Sequence, residues 1–254
     1  MSTLGTVLLI TARCLQYKLE DKTLERIAEI TARYTSPAPA VSQGSVKTAD
    51  MEAFIDLEVL QEVNEDAYGY IEINGTQISY PVMRSEQPHK YLRRNFYGEP
   101  SVYGSIYLDN ASYLAGMNMV IYGHNIKSGK MFGGLKRYLD EEFAKEHQEI
   151  RFITGDEIRI YHLSAVFQAQ ADEEALVRNL IPYTEEECRM LADFITGQGG
   201  TVFQEFSWGD QLITLVTCEY SNKNGRLFVI GRLAGTIRRK ENTSITHHLV
   251  SDES

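Results

Sequence analysis

Short β-rich segments recur along this sequence of 254 residues, with turn residues between them. The first two flank Asn74-Gly75, downstream of Tyr68, and an Asn-Gly pair between such segments is a strong hairpin signal. Further candidates lie at 104–108, 119–122, 150–153, 157–168, 211–218 and 226–234. About eight strands with irregular connections favour a closed β-barrel, because closure removes exposed sheet edges. The predicted fold class is mainly β with peripheral helices.

Two helices are predicted before the first strand. An amphipathic pattern over 18–34 fits a surface helix, and a second pattern over 50–63 has Asp50 as its cap. Between them, prolines and small polar residues at 35–50 bury too little apolar surface to offset the entropy of ordering, so we expect a linker. The β-rich domain starts after these segments.

Two further helices are predicted between strands, over 130–143 and 184–195. The second opens with a capping box, in which Thr184 is followed three residues later by Glu187. Beyond the last strand, the polar tail 240–254 is predicted to be disordered. Helices therefore surround the predicted barrel, while strands form its core.

The first residues bear on whether the chain is tethered to a membrane. The run from Met1 to Ala12 is uncharged but ends at Arg13, whereas a spanning helix needs roughly 20 apolar residues. Two interpretations stay open for residues 1–17. They are the remnant of an anchor that starts upstream, or an apolar helix tip without a membrane role.

Charge and cysteine content exclude several functional classes. The formal net charge is −10, from 35 acidic against 25 basic residues, and an acidic surface repels phosphate backbones. Cys14, Cys188 and Cys218 are too few and too scattered for a disulfide framework or a zinc site with paired ligands. We therefore predict no nucleic-acid partner, no metal and no other cofactor.

Cys218 is the best candidate nucleophile. It ends an apolar run and is followed at once by a polar segment, so its thiol is expected at a strand end that faces a loop. The plain alternative is a small core residue, which is what a free cysteine usually is. The residues around it decide between the two.

Arg226 is predicted to lie beside Cys218. The pair Asn224-Gly225 offers a turn that folds the two flanking strands together. Arg226 then heads an otherwise apolar strand, where a salt bridge at the rim is the plain interpretation. In a catalytic role, its guanidinium would hold an oxyanion and favour the thiolate.

His124 follows a predicted strand, and Gly123 is expected to allow a backbone bend that turns the imidazole into a cleft. An imidazolium can stabilise a thiolate and then donate a proton to a departing amine. Thr217, Glu219 and Asn125 flank these residues and are candidates for substrate contacts. Sequence spacing alone does not establish that His124 and Cys218 meet.

Seven segments of the chain strongly resemble the class B sortase family, and they occur in the family's order. They include Ile-Tyr-Gly-His-Asn, Leu-Val-Thr-Cys-Glu-Tyr and Asn-Gly-Arg-Leu-Phe-Val-Ile-Gly-Arg-Leu. By position the seven are 68–82, 91–98, 104–109, 121–125, 127–139, 215–220 and 224–233. A lone Thr-Cys would be weak, but these blocks in correct order and spacing are specific. The resemblance extends over about residues 50 to 237.

The resemblance implies a transpeptidase. Cys218 would attack the carbonyl at the threonine of a sorting signal and form a thioester, while His124 protonates the leaving amine. Arg226 is matched to the family's oxyanion and substrate clamp. An incoming amine, from a cell-wall precursor or from a lysine on a pilin subunit, would then resolve the thioester.

The resemblance also implies an architecture and a location. An eight-stranded barrel would carry N-terminal helices and, within 171–209, an insertion with a helix before the last two strands. Family members sit in the cell membrane with the catalytic domain on the extracellular face. The implied divisions are 1–17 (possible anchor remnant), 18–49 (helix and linker), 50–239 (catalytic domain) and 240–254 (tail).

One departure from the family concerns a third catalytic group. Some class B members have an aspartate close after the cysteine, whereas Glu219, Tyr220 and Ser221 follow here, so no carboxylate is assigned. A second departure is the short N-terminal apolar run. Three rival functions stay open: a pilin polymerase that uses a lysine amine, a peptide-binding barrel without catalysis, and a cysteine hydrolase.

Overall fold

The computed structural model describes residues 3–33, 35–37, 53–170, 180–219 and 225–239. Helices described over their full length are α1 (Thr3–Arg33), α2 (Leu57–Val63), α3 (Glu141–Glu146) and α4 (Glu185–Gly197), and 3-10 turns cover Lys90–Leu92 and Phe132–Leu139. The strands are β1 (Thr35–Pro37), β2 (Ala53–Ile55), β3 (Ala67–Ile73), β4 (Ser79–Met83), β5 (Ile106–Leu108), β6 (Asn118–Tyr122), β7 (Glu149–Ile153), β8 (Glu157–Gln170), β9 (Thr201–Val202), β10 (Leu212–Glu219) and β11 (Gly225–Arg238).

Eight of these strands form a closed barrel, in the order β11, β10, β6, β5, β4, β3, β7 and β8. A long antiparallel pairing between β8 and β11 closes the ring. Two neighbouring pairs, β6 with β10 and β4 with β5, are parallel, and β9 adds a short antiparallel segment to β8. The prediction of a mainly β fold with an eight-stranded barrel is confirmed.

The hairpin predicted at Asn74-Gly75 joins β3 to β4. Gly75 has φ 77°, a left-handed conformation that glycine adopts without strain. The turn is closed by an N–H···O bond of 3.0 Å from Ile73 to Ile78. A Cβ at Gly75 would lie 1.9 Å from the His147 ring, so close packing also requires glycine. The predicted turn residues thus match the observed geometry.

Alternation along the strands separates the barrel interior from an outer layer. In β10, Ile213 and Leu215 point into the interior, whereas Leu212 and Val216 point outward. The outward side chains pack against α4, and each buried aliphatic side chain stabilises the fold by about 1.5–3 kcal/mol. The helix predicted in the insertion therefore covers the outer face beside the end of β10.

The N-terminus of α4 is capped as predicted, with one difference. The Glu187 N–H donates to the Thr184 hydroxyl at 3.2 Å. The Glu187 carboxylate accepts from the Tyr183 N–H at 2.7 Å, one residue before the expected donor. The reciprocal pair still satisfies two main-chain donors at the helix start.

The predictions for the N-terminal region need correction. Helix α1 starts at Thr3, well before the predicted start at 18. The helix predicted over 50–63 is wrong in its first half, because 53–55 is a strand that pairs with 35–37. Phe54 and Ile55 are successive buried residues of types that favour strands. Helix α2 starts only after Asp56, and the rest of the predicted linker, like the predicted tail, lies outside the described residues.

The single helix predicted over 130–143 is replaced by two shorter elements. A 3-10 segment runs to Leu139, and α3 then begins with a new cap, in which Asp140 accepts from the Phe143 N–H at 2.9 Å. A Cβ at Gly133 would lie 2.1 Å from the Ile126 carbonyl, so the chain is held close to that loop. Tertiary packing thus overrides the helical pattern here.

Of the helices that the structure describes, none combines the length and the apolar character that crossing a bilayer requires.

Candidate active site

At one edge of the barrel β6 and β10 end and β11 begins, and a residue predicted to do chemistry lies in or just beyond each of these strand termini. Cys218 of β10 lies directly opposite Arg226 of β11 in an antiparallel pair. On the other side of β10, the parallel ladder with β6 reaches Val216, whose carbonyl accepts from the Gly123 N–H at 3.2 Å. His124 therefore follows at the level of Cys218.

Strand alternation places Cys218 and Arg226 on the outer face of the barrel. Val216 and Phe228, which lie two residues away on the same strands, belong to the outer cluster that α4 covers. Opposed residues of an antiparallel pair project to the same face, with Cβ atoms about 4.5–5.5 Å apart. The thiol and the guanidinium therefore share a face, and both residues are partly exposed.

The guanidinium of Arg226 provides a permanent positive charge beside the thiol. Its Nη1 donates to the Gly225 carbonyl at 3.2 Å, which ties the side chain to its own strand end. A guanidinium carries five N–H donors in a planar fork and stays protonated at all relevant pH values. The same fork can bind an oxyanion that forms beside the thiol.

His124 is held by a main-chain contact from another part of the chain. Its Nε2 lies 2.8 Å from the carbonyl oxygen of Leu92. A carbonyl can only accept, so Nε2 is the ring nitrogen that carries the proton. In the neutral ring, Nδ1 then has the lone pair and is the ring nitrogen that can accept a proton.

The surroundings of His124 disfavour its charged form. Burial lowers the pKa of His124 below its ordinary 6.5, the Leu92 carbonyl opposes this by raising it, and the charge of Arg93 lowers it further. The net shift is downward, so the imidazole is mainly neutral at neutral pH.

Gly123 positions His124 for a reason other than the predicted one. Its φ is not among the positive values found in the described residues. A Cβ at this position would lie 2.4 Å from Ile106 Cδ1 and 2.7 Å from the Phe132 ring. Both neighbours are fully buried, so only glycine lets the chain pass between them. Close packing, and not a backbone bend, requires glycine before His124.

Thr217 and Asn125 lock the two strand ends together. The buried Thr217 hydroxyl donates to the Gly123 carbonyl at 2.8 Å, and the Asn125 amide donates to the Cys218 carbonyl at 2.7 Å. These bonds continue the link between β6 and β10 beyond the last ladder pair. The predicted substrate contacts of both residues stay predictions, as does that of Glu219, which ends β10.

The other cysteines lie elsewhere. Cys14 is exposed on α1, whereas Cys188 is buried on α4, where burial raises the pKa of its thiol and so disfavours the thiolate. In the ranges that the structure describes, no group of three His, Cys, Asp or Glu side chains could hold a metal ion.

Sequence reasoning missed the Leu92 carbonyl. Leu92 lies in a 3-10 turn that precedes His124 by 32 positions, and the contact uses a main-chain atom. Nothing in the residue type marks such a contact. The preceding turn residue, His89, has φ 55°, an unusual value for a non-glycine residue that becomes visible only in the structure.

Comparison with known proteins gives a consistent result. Residues 71–234 match the family model of the sortase domain. The chain is 32% identical to sortase B of Listeria monocytogenes over 185 residues, covering 70% of this chain and 74% of that protein. It is 28% identical to sortase B of Staphylococcus aureus, covering 69% and 73%.

A solved structure agrees with these sequence matches. The crystal structure of sortase B from Bacillus anthracis in complex with AAEK1 superposes with a TM-score of 0.68 at 26% identity. The superposition covers 86% of this chain and 98% of that one. The barrel, its covering helix and the matched domain therefore lead to one conclusion. The chain belongs to the sortase family, in its class B.

Proposed function

We propose that this sortase cleaves a C-terminal sorting signal after a threonine and transfers the surface protein to an amine of a cell-wall precursor. Cys218 is the nucleophile in this proposal, His124 is the general acid and base, and Arg226 binds the oxyanion. Family membership supports a transpeptidase acting on surface proteins. The residue roles are supported by the meeting of three strand ends at one edge of the barrel.

The first half-reaction forms a thioester. The Cys218 thiolate attacks the threonine carbonyl carbon, and the electron pair moves to the carbonyl oxygen. The guanidinium of Arg226 lies opposite Cys218 in the ladder and stabilises this oxyanion. The C–N bond then breaks, and the His124 imidazolium donates its Nδ1 proton to the departing amine. The products are a thioester on Cys218 and a neutral imidazole.

The second half-reaction reverses these steps with another amine. Neutral His124 accepts a proton from the incoming amine as its nitrogen attacks the thioester carbonyl. The C–S bond breaks, and the thiolate and the imidazolium are restored. Water can follow the same route, so hydrolysis is expected as a slow side reaction.

The single observation that carries the proposal is the direct pairing of Cys218 with Arg226. A guanidinium that faces a partly exposed thiol is placed to bind the oxyanion that forms when the thiol attacks a carbonyl. A peptide-binding barrel without catalysis would have no use for this pair.

A peptide-library assay tests the proposal. The protein is incubated with peptides that contain a threonine sorting signal. Without an added amine, intact mass detects the thioester on the enzyme; in a parallel incubation hydroxylamine serves as the acceptor, and the released peptide hydroxamate is measured. We expect an acyl adduct on Cys218 and none in Cys218→Ala. Cys188→Ala is the matched control, because it also removes one thiol but leaves the strand ends intact.

Two results would count against the proposal. Full cleavage by Cys218→Ala would show that Cys218 is not the nucleophile. An adduct on Cys14 or Cys188 would show that another cysteine is. Competition between a cell-wall precursor amine and a lysine amine then identifies the acceptor. Preference for the lysine amine would favour pilin polymerisation over transfer to the cell wall as the function.

A further inference from the structure

The carbonyl that binds His124 belongs to a turn with its own polar support. Leu92 is the last residue of the 3-10 turn that starts at Lys90. The Lys90 ammonium lies 2.6 Å from Asp66 Oδ2, and the Tyr91 hydroxyl donates to the same oxygen at 2.8 Å. One carboxylate therefore binds both residues that precede Leu92.

The support combines a buried tyrosine with the partly exposed Lys90–Asp66 pair, and it has further hydrogen bonds. Tyr91 is only 1% exposed, and its hydroxyl also accepts from the Asn64 amide at 2.9 Å. The same amide donates to the Phe96 carbonyl at 2.6 Å, just beyond the turn. The Tyr91 hydroxyl thus donates one hydrogen bond and accepts another. Together these bonds fix the ring and the main chain that carries it.

The main chain around Leu92 leaves its carbonyl little freedom. The neighbouring Tyr91 carbonyl accepts from the Ser105 N–H at 2.9 Å. Gly104, with φ 59°, passes so close that a Cβ there would lie 2.7 Å from the carbonyl oxygens of both Tyr91 and Leu92. Gly104 therefore packs against the Leu92 carbonyl, while Asp66 fixes the two preceding turn residues, Lys90 and Tyr91.

A general acid–base histidine needs a partner that fixes its ring orientation and tautomer, and that partner is often a carboxylate. No carboxylate contacts the His124 ring among the hydrogen bonds of the described residues, and Leu92 fills this position. We propose that Asp66 is a positioning residue, which orients His124 by fixing the Leu92 carbonyl through Lys90 and Tyr91. This inference rests on the proposed role of His124.

Two substitutions test the network in the full chain. Tyr91→Phe removes the hydroxyl and keeps the ring, and Asp66→Asn keeps the shape and removes the charge. Tyr138→Phe is the matched control, because Tyr138 is buried like Tyr91, at 2% exposure, and donates one hydrogen bond, to the His147 carbonyl at 2.7 Å. Tyr91→Phe and Tyr138→Phe each lose a hydroxyl of a buried tyrosine, and Asp66→Asn changes a partly exposed carboxylate.

Two readouts separate positioning from general loss of stability. Nitrogen NMR of histidine-labelled protein reports the His124 tautomer, which we expect to be the Nε2–H form in wild type and in Tyr138→Phe. The rate of iodoacetamide alkylation at the Cys218 peptide, measured by mass spectrometry, reports how well the imidazole supports the thiolate without any substrate.

We expect Tyr91→Phe and Asp66→Asn to give a mixture of tautomers. Alkylation and thioester formation should slow by about 10-fold or more, since displacements near 1 Å can cost on the order of 10²-fold. If both variants keep the wild-type tautomer and alkylation rate, or if Tyr138→Phe loses as much, the positioning role is wrong. Wild-type thioester formation on Cys218 is scored separately, so failure of the proposed function is distinguishable.

Gly104→Ala keeps the test decisive if neither network variant folds. Its Cβ would lie 2.7 Å from the carbonyl oxygens of both Tyr91 and Leu92, and Asp66 is not among its three nearest contacts. A shifted tautomer supports the Leu92 carbonyl as the orienting partner, and an unchanged tautomer in the folded variant contradicts it.

Discussion

Gly123→Ala should damage both stability and activity, and the structure sets the size of each effect. The new Cβ would lie 2.4 Å from Ile106 Cδ1 and 2.7 Å from two atoms of the Phe132 ring, distances that real Cβ contacts essentially never show. Ile106 and Phe132 are 0% exposed and lie in the main core cluster. Neither can move without disturbing other buried side chains, and overpacking of this kind costs about 1–3 kcal/mol.

The same displacement reaches the site through His124. The Phe132 N–H donates to the His124 carbonyl at 2.9 Å, so a shift of Phe132 moves the His124 main chain. A shift near 1 Å in a catalytic group lowers the rate on the order of 10²-fold. We therefore expect kcat for peptide cleavage to fall by about that factor, well beyond what the stability loss explains.

Urea unfolding and steady-state peptide cleavage measure the two effects. Gly155→Ala is the matched control, because its Cβ would meet only Leu57 Cβ at an ordinary 3.8 Å. It should leave both stability and kcat near the wild-type values. Wild-type stability and rate in Gly123→Ala would refute the claim that close packing at this glycine positions His124.

Three further outcomes are expected. Arg226→Lys keeps the charge but loses the planar fork, so kcat/KM should fall about 10²–10³-fold without loss of the fold, as judged by peptide cleavage and circular dichroism. Asn125→Ala removes the donor to the Cys218 carbonyl and should lower the free energy of unfolding by about 1 kcal/mol. In peptide cleavage, kcat should change more than KM. An effect on KM alone would favour a substrate contact. The pKa of His124 is lowered in the folded state, so the unfolded chain binds more protons as pH drops through 6.5. The free energy of unfolding, measured by urea titration, should therefore fall over this pH range. His124→Gln should lack this part of the decline.

Much of the barrel could be predicted because its signals are local. Alternating apolar residues and the Asn74-Gly75 turn define β3 and β4 without reference to distant segments. The strand at 53–55 could not be predicted, since its hydrogen-bond partners lie at 35–37 across the intervening chain. The apolar spacing favours a helix there, whereas the residue types Phe54 and Ile55 favour a strand, and pairing with the remote segment decides between the two.

For the site too, local contacts could be predicted and distant ones could not. A turn after β10 suffices to predict that Cys218 and Arg226 are neighbours, because consecutive antiparallel strands pair locally. His124 joins them through a parallel pairing of β6 with β10, and parallel strands are connected by long crossovers that sequence spacing does not reveal. The Leu92 carbonyl is harder still, since a main-chain acceptor leaves no residue-type signal.

We expect the thiol, the imidazole and the guanidinium at three adjacent strand termini to act as one catalytic unit. A double-mutant cycle on single-turnover thioester formation at Cys218, with His124→Ala, Arg226→Ala and the double variant, tests it most directly. Residues that act together are strongly non-additive, so the double variant should be little slower than the worse single variant. Fully additive losses would mean that His124 and Arg226 act independently, and would contradict the account.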